Sequence, residues 1–234
     1  MTASETTRQP IRRAGLTAGI ALLAMAVVSG LANFGVLETL VTEGDAERTV
    51  RDLREAEGLF RYGVTGFLLA ALLDVVVAWP LLVYFKPVNE GVATLAAWCR
   101  AVYGGVFIVA IAQLAAVPSL LGGTGVLPAE VLSKINAFDD IWKAGLSLFA
   151  LHLALLGYLA YKSRYVPRWI GVLLVIAGLG YLVDSLGVLL VPGYSLDVAM
   201  VTFVGEPVLM IWLLVKGWNV AVHERGRGPS RPGS

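Results

Sequence analysis

The sequence predicts an all-α, polytopic membrane protein: a six-helix transmembrane bundle with both termini in the cytoplasm. Three observations predict it. The 234 residues are 57% hydrophobic and only 15% charged, whereas a soluble domain is nearer half apolar and about a quarter charged. The apolar residues are gathered into six blocks, each close to the roughly 20 residues a helix needs to cross about 30 Å of hydrocarbon. Lysine and arginine favour alternate connections. Inside lipid the backbone must satisfy its own hydrogen bonds, so the blocks should be helices. A β-barrel would show short segments alternating with period 2, and these blocks are continuous.

The chain divides into a cytoplasmic N-terminal tail (1–13), a transmembrane domain (14–217) and a disordered cytoplasmic tail (218–234). Span 1, residues 14–36, follows Arg8, Arg12 and Arg13. Arginines, an apolar run and small residues near 29–32 also fit a secretory signal, but the run is long for a signal's apolar core. In 45–57, Ala46, Val50, Leu53 and Ala56 share one helical face, with Asp45 placed as N-cap. Span 2 is 59–85, and the short loop after it carries Lys86. Span 3 is 93–120. In 128–142, Val131, Leu132, Ile135, Phe138 and Trp142 repeat the helical spacing behind Pro128, which suits a first turn. Both amphipathic stretches should lie along the outer surface or extend the next span outward. Span 4 is 143–161, followed by Lys162, Arg164 and Arg168; span 5 is 169–191 and span 6 is 198–215.

Lys216, Arg225, Arg227 and Arg231 follow span 6. With six crossings, these cations share a side with those before span 1 and between spans 2 and 3 and spans 4 and 5. On the other side, acids match or outnumber Arg48, Arg51, Arg54 and Lys134. The positive-inside rule therefore puts both termini in the cytoplasm. The tail beyond His223 is rich in Gly, Pro and Arg and should be disordered, its arginines resting on anionic lipid. The bilayer is the expected partner. A net charge of +1 implies no polyanion, so no nucleic acid is expected. The single cysteine, Cys99, excludes an internal disulfide and any multi-cysteine metal site.

Ionisable groups inside a span are costly, about 2.5–3.5 kcal/mol at its centre. Asp74, His152 and Glu206 fall near the middle of spans 2, 4 and 6. If those spans are neighbours, the three side chains form one buried polar site. Pro207 directly follows Glu206, so span 6 should kink at its carboxylate. Each group also has a plainer reading. Asp74 and Glu206 can be single hydrogen-bonded carboxyls, and His152 a neutral core residue. Arg100, about two turns into span 3, must snorkel or pair, and Glu206 or Asp74 would be its partner. Asp184, in the outer half of span 5, is placed to pair with Arg61 at the start of span 2. Gly15 and Gly19 in span 1, Gly104 and Gly105 in span 3, and Gly171, Gly178 and Gly180 in span 5 allow close helix approach. Internal packing is the expected use, and a homo-oligomer face the other.

No Walker loop, HExxH, GxSxG or dinucleotide fingerprint is present, and no cofactor or metal is expected. With only two histidines, neither a bis-histidine haem involving His152 and the tail nor a three-histidine zinc site can form in one chain.

A set of short motifs carries a resemblance. They begin with Gly44-Asp45-Ala46, Glu57-Gly58-Leu59-Phe60-Arg61, Lys86-Pro87-Val88-Asn89 and Arg100. Leu151-His152-Leu153, Gly157-Tyr158-Leu159, Tyr165-Val166-Pro167-Arg168 and Gly171-Val172-Leu173 follow. Gly180-Tyr181-Leu182, Glu206 and Trp212-Leu213-Leu214-Val215-Lys216-Gly217 close the set. In their order and spacing, from about Arg12 to Gly217, the chain resembles the bacterial multipass membrane proteins grouped as domain of unknown function 4386. The resemblance implies that span 1 is retained. It implies no activity. Asp74 and Pro207 lie outside the family pattern.

Three functional readings remain. The first is a non-enzymatic membrane scaffold or regulatory partner, favoured by short loops and absent catalytic motifs. The second is a small proton- or ion-coupled transporter or channel using Asp74, Arg100, His152 and Glu206. The third is an intramembrane lipid-modifying enzyme, for which no nucleophile is evident.

Overall fold

The computed structural model describes residues 3–217 apart from 43, 124, 126 and 195. Among these residues all regular structure is helical. Helix α1 (Ala3–Ala32) passes through a π-helical turn (Asn33–Leu37) into a last short turn, α2 (Glu38–Leu40). Then come α3 (Ala46–Glu55), α4 (Glu57–Phe85), α5 (Glu90–Leu121), α6 (Pro128–Lys162), α7 (Arg168–Leu190), α8 (Val198–Thr202) and α9 (Gly205–Lys216). Six of the resulting helical segments are long and apolar enough to cross a membrane.

Local chemistry sets the boundaries. Gly44 takes a left-handed conformation, φ 77°, before the cap. The Asp45 carboxylate then accepts the Arg48 N–H at 2.9 Å. Asn89 caps α5 by accepting the Val92 N–H at 3.1 Å. Pro128 opens α6, where its missing N–H costs nothing.

Two helices run beyond their apolar blocks. Residues 3–13, the segment ahead of span 1, are helical and continue α1. A helix already nucleated extends at little cost, and Ile11 and Ala14 are buried, so this turn is packed. Of the two placements expected for residues 128–142 the structure shows the second: they extend span 4 outward, as the N-terminal part of α6, a single helix of 35 residues. At 1.5 Å per residue α6 is about 50 Å long, so it stands beyond the hydrocarbon. Its buried stripe of Val131, Ile135 and Phe138 holds α3, whose Val50 and Leu53 are also buried. The tail 218–234 lies outside the described residues.

The six spans close into a ring. α1 packs on α4, α4 on α5, α5 on α6, α6 on α7, α7 on α9, and α9 returns to α1. Gly157 and Gly171 make the α6–α7 contact nearly backbone to backbone. A methyl group at Gly171 would lie 2.6 Å from the Gly157 carbonyl oxygen. The outward faces carry large apolar side chains such as Leu31, Trp79, Trp98 and Leu189, each more than half exposed. That is the pattern of a protein whose solvent is lipid. Both ends of the described chain sit on one side. There Gly15 packs on Gly217, and Tyr165 donates its hydroxyl to the Tyr84 carbonyl at 2.8 Å.

Candidate functional site

Inside the ring, Arg100 on α5 is fully buried, 0% exposed. A guanidinium keeps its charge in proteins, so it must be paired there. Asp74 from α4 supplies an oxygen 2.8 Å from Nη2. Glu206 from α9 accepts from Nη1 at 3.0 Å. His152 from α6 lies 3.2 Å from Nη1 through Nε2. The structure thus brings Asp74, Arg100, His152 and Glu206 together.

The bonds fix the histidine's form. Arginine only donates, so His152 Nε2 must accept. Nδ1 therefore carries the hydrogen and donates it to the Ala96 carbonyl at 2.8 Å. This is a neutral imidazole with both nitrogens used. Two apolar neighbours complete the shell. The Met25 sulfur of α1 lies 3.4 Å from Nη2, and the Phe149 ring of α6 lies 5.3 Å from the guanidinium carbon. Neither carries a polar signal in sequence. Phe149 stands three residues before His152, on the same helical face, which is the cue that points to it.

The centre is not fully satisfied. Asp74 Oδ1 is at ion-pair distance from Arg100 but off the hydrogen-bond direction, and Arg100 Nε–H has no acceptor. The Asp74 contact is therefore better described as charge attraction than as a directed bond.

Span 6 breaks next to the centre. α8 ends at Thr202 and α9 begins at Gly205, so Glu206 lies in the first turn of α9. The break lies just before Glu206, rather than at it. Pro207 has no N–H, and its ring crowds the carbonyl four residues back, that of Phe203. The ladder resumes at Val208, whose N–H reaches the Val204 carbonyl at 3.2 Å. Gly205 lets α9 start tight against α7, since a methyl there would lie 2.6 Å from the Leu173 carbonyl oxygen. A carboxylate in a helix's first turn is also favoured by the helix dipole.

Arg61 and Asp184 are not brought together. Arg61 pairs with Glu57 one turn away, Nη2 to Oε1 at 2.8 Å. Asp184 accepts the Tyr194 hydroxyl at 2.7 Å, the Val198 N–H at 3.0 Å and the Ala199 N–H at 2.7 Å. The pairing fails because α4 and α7 are not neighbours in the ring, while each residue has a local partner. Asp184 instead clamps the start of α8 to α7. Its bond pushes the Tyr194 hydroxyl up to about 12.

The glycine faces are largely taken within the chain. Gly15 and Gly19 receive Gly217 and Leu214, Gly104 receives Ala71, and Gly178 receives Ala150, whereas Gly105 faces open space. Among the described residues no group of three or more His, Cys, Asp or Glu side chains is placed to hold a metal.

Residues 17–217 match the family model described as "Domain of unknown function (DUF4386)". A curated relative, an uncharacterized protein of Archaeoglobus fulgidus, is 35% identical over 156 residues, which cover 67% of this chain and 84% of that protein. No solved structure matches.

Proposed function

Because the chain belongs to the domain of unknown function 4386 family, which carries no assigned activity, we propose from its geometry that it is a non-enzymatic scaffold or regulatory partner. It sits in the cell membrane with both ends in the cytoplasm. One observation carries this reading. Arg100 and the side chains around it join five of the six spans, and the terminal amines of Arg100 and both nitrogens of His152 are engaged within the chain. Such a centre fixes which helices meet, as buried polar groups do elsewhere. The groups a lipid-modifying enzyme would use, the two carboxyls and the imidazole, are turned onto Arg100 and the Ala96 carbonyl, so the geometry does not favour that reading.

The rival reading is a proton- or ion-coupled carrier. It is favoured by the break in span 6 beside Glu206, whose side chain is 18% exposed. Liposomes holding the purified protein separate the two. The scaffold reading expects proton, sodium and potassium flux equal to that of empty vesicles. Flux well above empty vesicles that disappears in Glu206→Gln would replace it with the carrier.

A further inference from the structure

The charges at the centre do not cancel. Arg100 brings one positive charge and His152 none, while Asp74 and Glu206 bring two carboxyl groups. Among the described residues the other spans add no balancing cation. α1 contributes Met25 and α6 contributes Phe149 beside His152. α5 adds Tyr103, whose hydroxyl oxygen accepts from Trp142 at 2.9 Å. α7 adds Tyr181, which meets Phe149 edge to face at 5.6 Å. Among the described residues, the ion pairs of Asp74 and Glu206 are those with Arg100. With both carboxyls ionised, the centre would hold one uncompensated negative charge, with Asp74 buried and the Glu206 side chain only 18% exposed, the arrangement that protein interiors avoid.

We propose that this centre is a proton-binding site, holding one exchangeable proton between Asp74 and Glu206, with Glu206 as the group that trades it with solvent. The chemistry of the neighbours favours a proton over a metal cation. Hard cations take six or more oxygen ligands. Here the close oxygens of both carboxylates face a guanidinium, and the remaining contacts are a sulfur, an aromatic ring and an imidazole. A proton needs no shell. Geometry picks out Glu206 as the exchanging group. Its side chain is 18% exposed against 6% for Asp74, and it stands directly after the break in span 6. The step is a simple transfer. The Glu206 O–H bond breaks, its electron pair stays on the carboxylate, and water takes the proton. The inference rests on the charge count and stands under either reading of function.

Infrared spectroscopy of the full chain in lipid tests it, because a protonated carboxyl has a carbonyl stretch that carboxylates lack. At neutral pH the wild type should show such a band, and it should shift on transfer to D2O. The band should vanish in Glu206→Gln and equally in Asp74→Asn, since Arg100 then balances the remaining carboxylate. It should persist in Asp184→Asn. Should one variant fail to fold, the other decides. A wild type without the band overturns the proposal, as does a band surviving in both variants. Loss of the band on adding sodium chloride, but not N-methylglucamine chloride, overturns it in favour of a cation. Flux is not the readout, so a proton bound but never carried upholds this site and leaves the scaffold reading intact.

Discussion

Arg100 is the residue on which the interior depends, because removing it would leave two carboxyl groups without their counter-charge in a mostly buried centre. Arg100→Met keeps most of the volume and removes the charge. It is expected to destabilise the bundle by about 3–5 kcal/mol, the cost of breaking a buried pair, read as a lower melting temperature in detergent. His152→Ala should cost less, about 1–3 kcal/mol, because the Ala96 carbonyl loses its donor. An Arg100→Met protein that melts like the wild type would mean the guanidinium is not held as described. The four members of the centre were legible in the sequence for a physical reason: a charge or imidazole within an apolar block is expensive, so each stood out. Met25 was not legible, since an apolar side chain in an apolar span looks like any other, and Phe149 could be reached only through its spacing from His152. The Arg61–Asp184 pairing misread depth as proximity. Depth along a span can be counted from its ends, but which spans are neighbours cannot.

At the scale of elements, α6 and α7 meet backbone to backbone. Gly171→Ala would place a methyl 2.6 Å from the Gly157 carbonyl oxygen and 2.7 Å from the Tyr161 nitrogen. Backbone cannot swing aside as a side chain does, so overpacking should cost about 1–3 kcal/mol. Gly105→Ala, with open space before it inside α5, should raise the melting temperature slightly, by the equivalent of about 0.5–1 kcal/mol. The clamp on α8 has a pH dependence of known sign. The Tyr194 hydroxyl is raised from about 10 to about 12. The stability it adds is fully present below the lower value and is lost as pH rises through the upper one. The melting-temperature gap between wild type and Tyr194→Phe should therefore be constant at neutral pH and shrink across that alkaline window. The spans themselves were legible to within a few residues, and so was the break in span 6. The extension of span 4 by 128–142 was one of two placements the pattern allowed, and packing against α3 selects it; the position of the break before Glu206 depends on packing against α7, which no local pattern records.

For the whole molecule, the ring predicts which loops share a side. In a Cys99→Ala background, Lys86→Cys and Arg164→Cys should react with an impermeant thiol reagent from one face of the membrane. Gly44→Cys and Gly123→Cys should react from the other. The cation distribution expects the first pair to label in inverted vesicles and the second in intact cells. A mixed pattern within either pair would contradict six crossings. Ring closure also has a consequence for biosynthesis. α9 supplies Glu206 and seals the circle against α1, yet it leaves the ribosome after all the helices it must join. Until it arrives, Arg100 waits with Asp74 and His152 in an open cleft between unsealed walls. Completion thus waits until α9 has been made, and a nascent polypeptide cut short before residue 205 would present to quality-control proteases a charged seam that the finished bundle conceals.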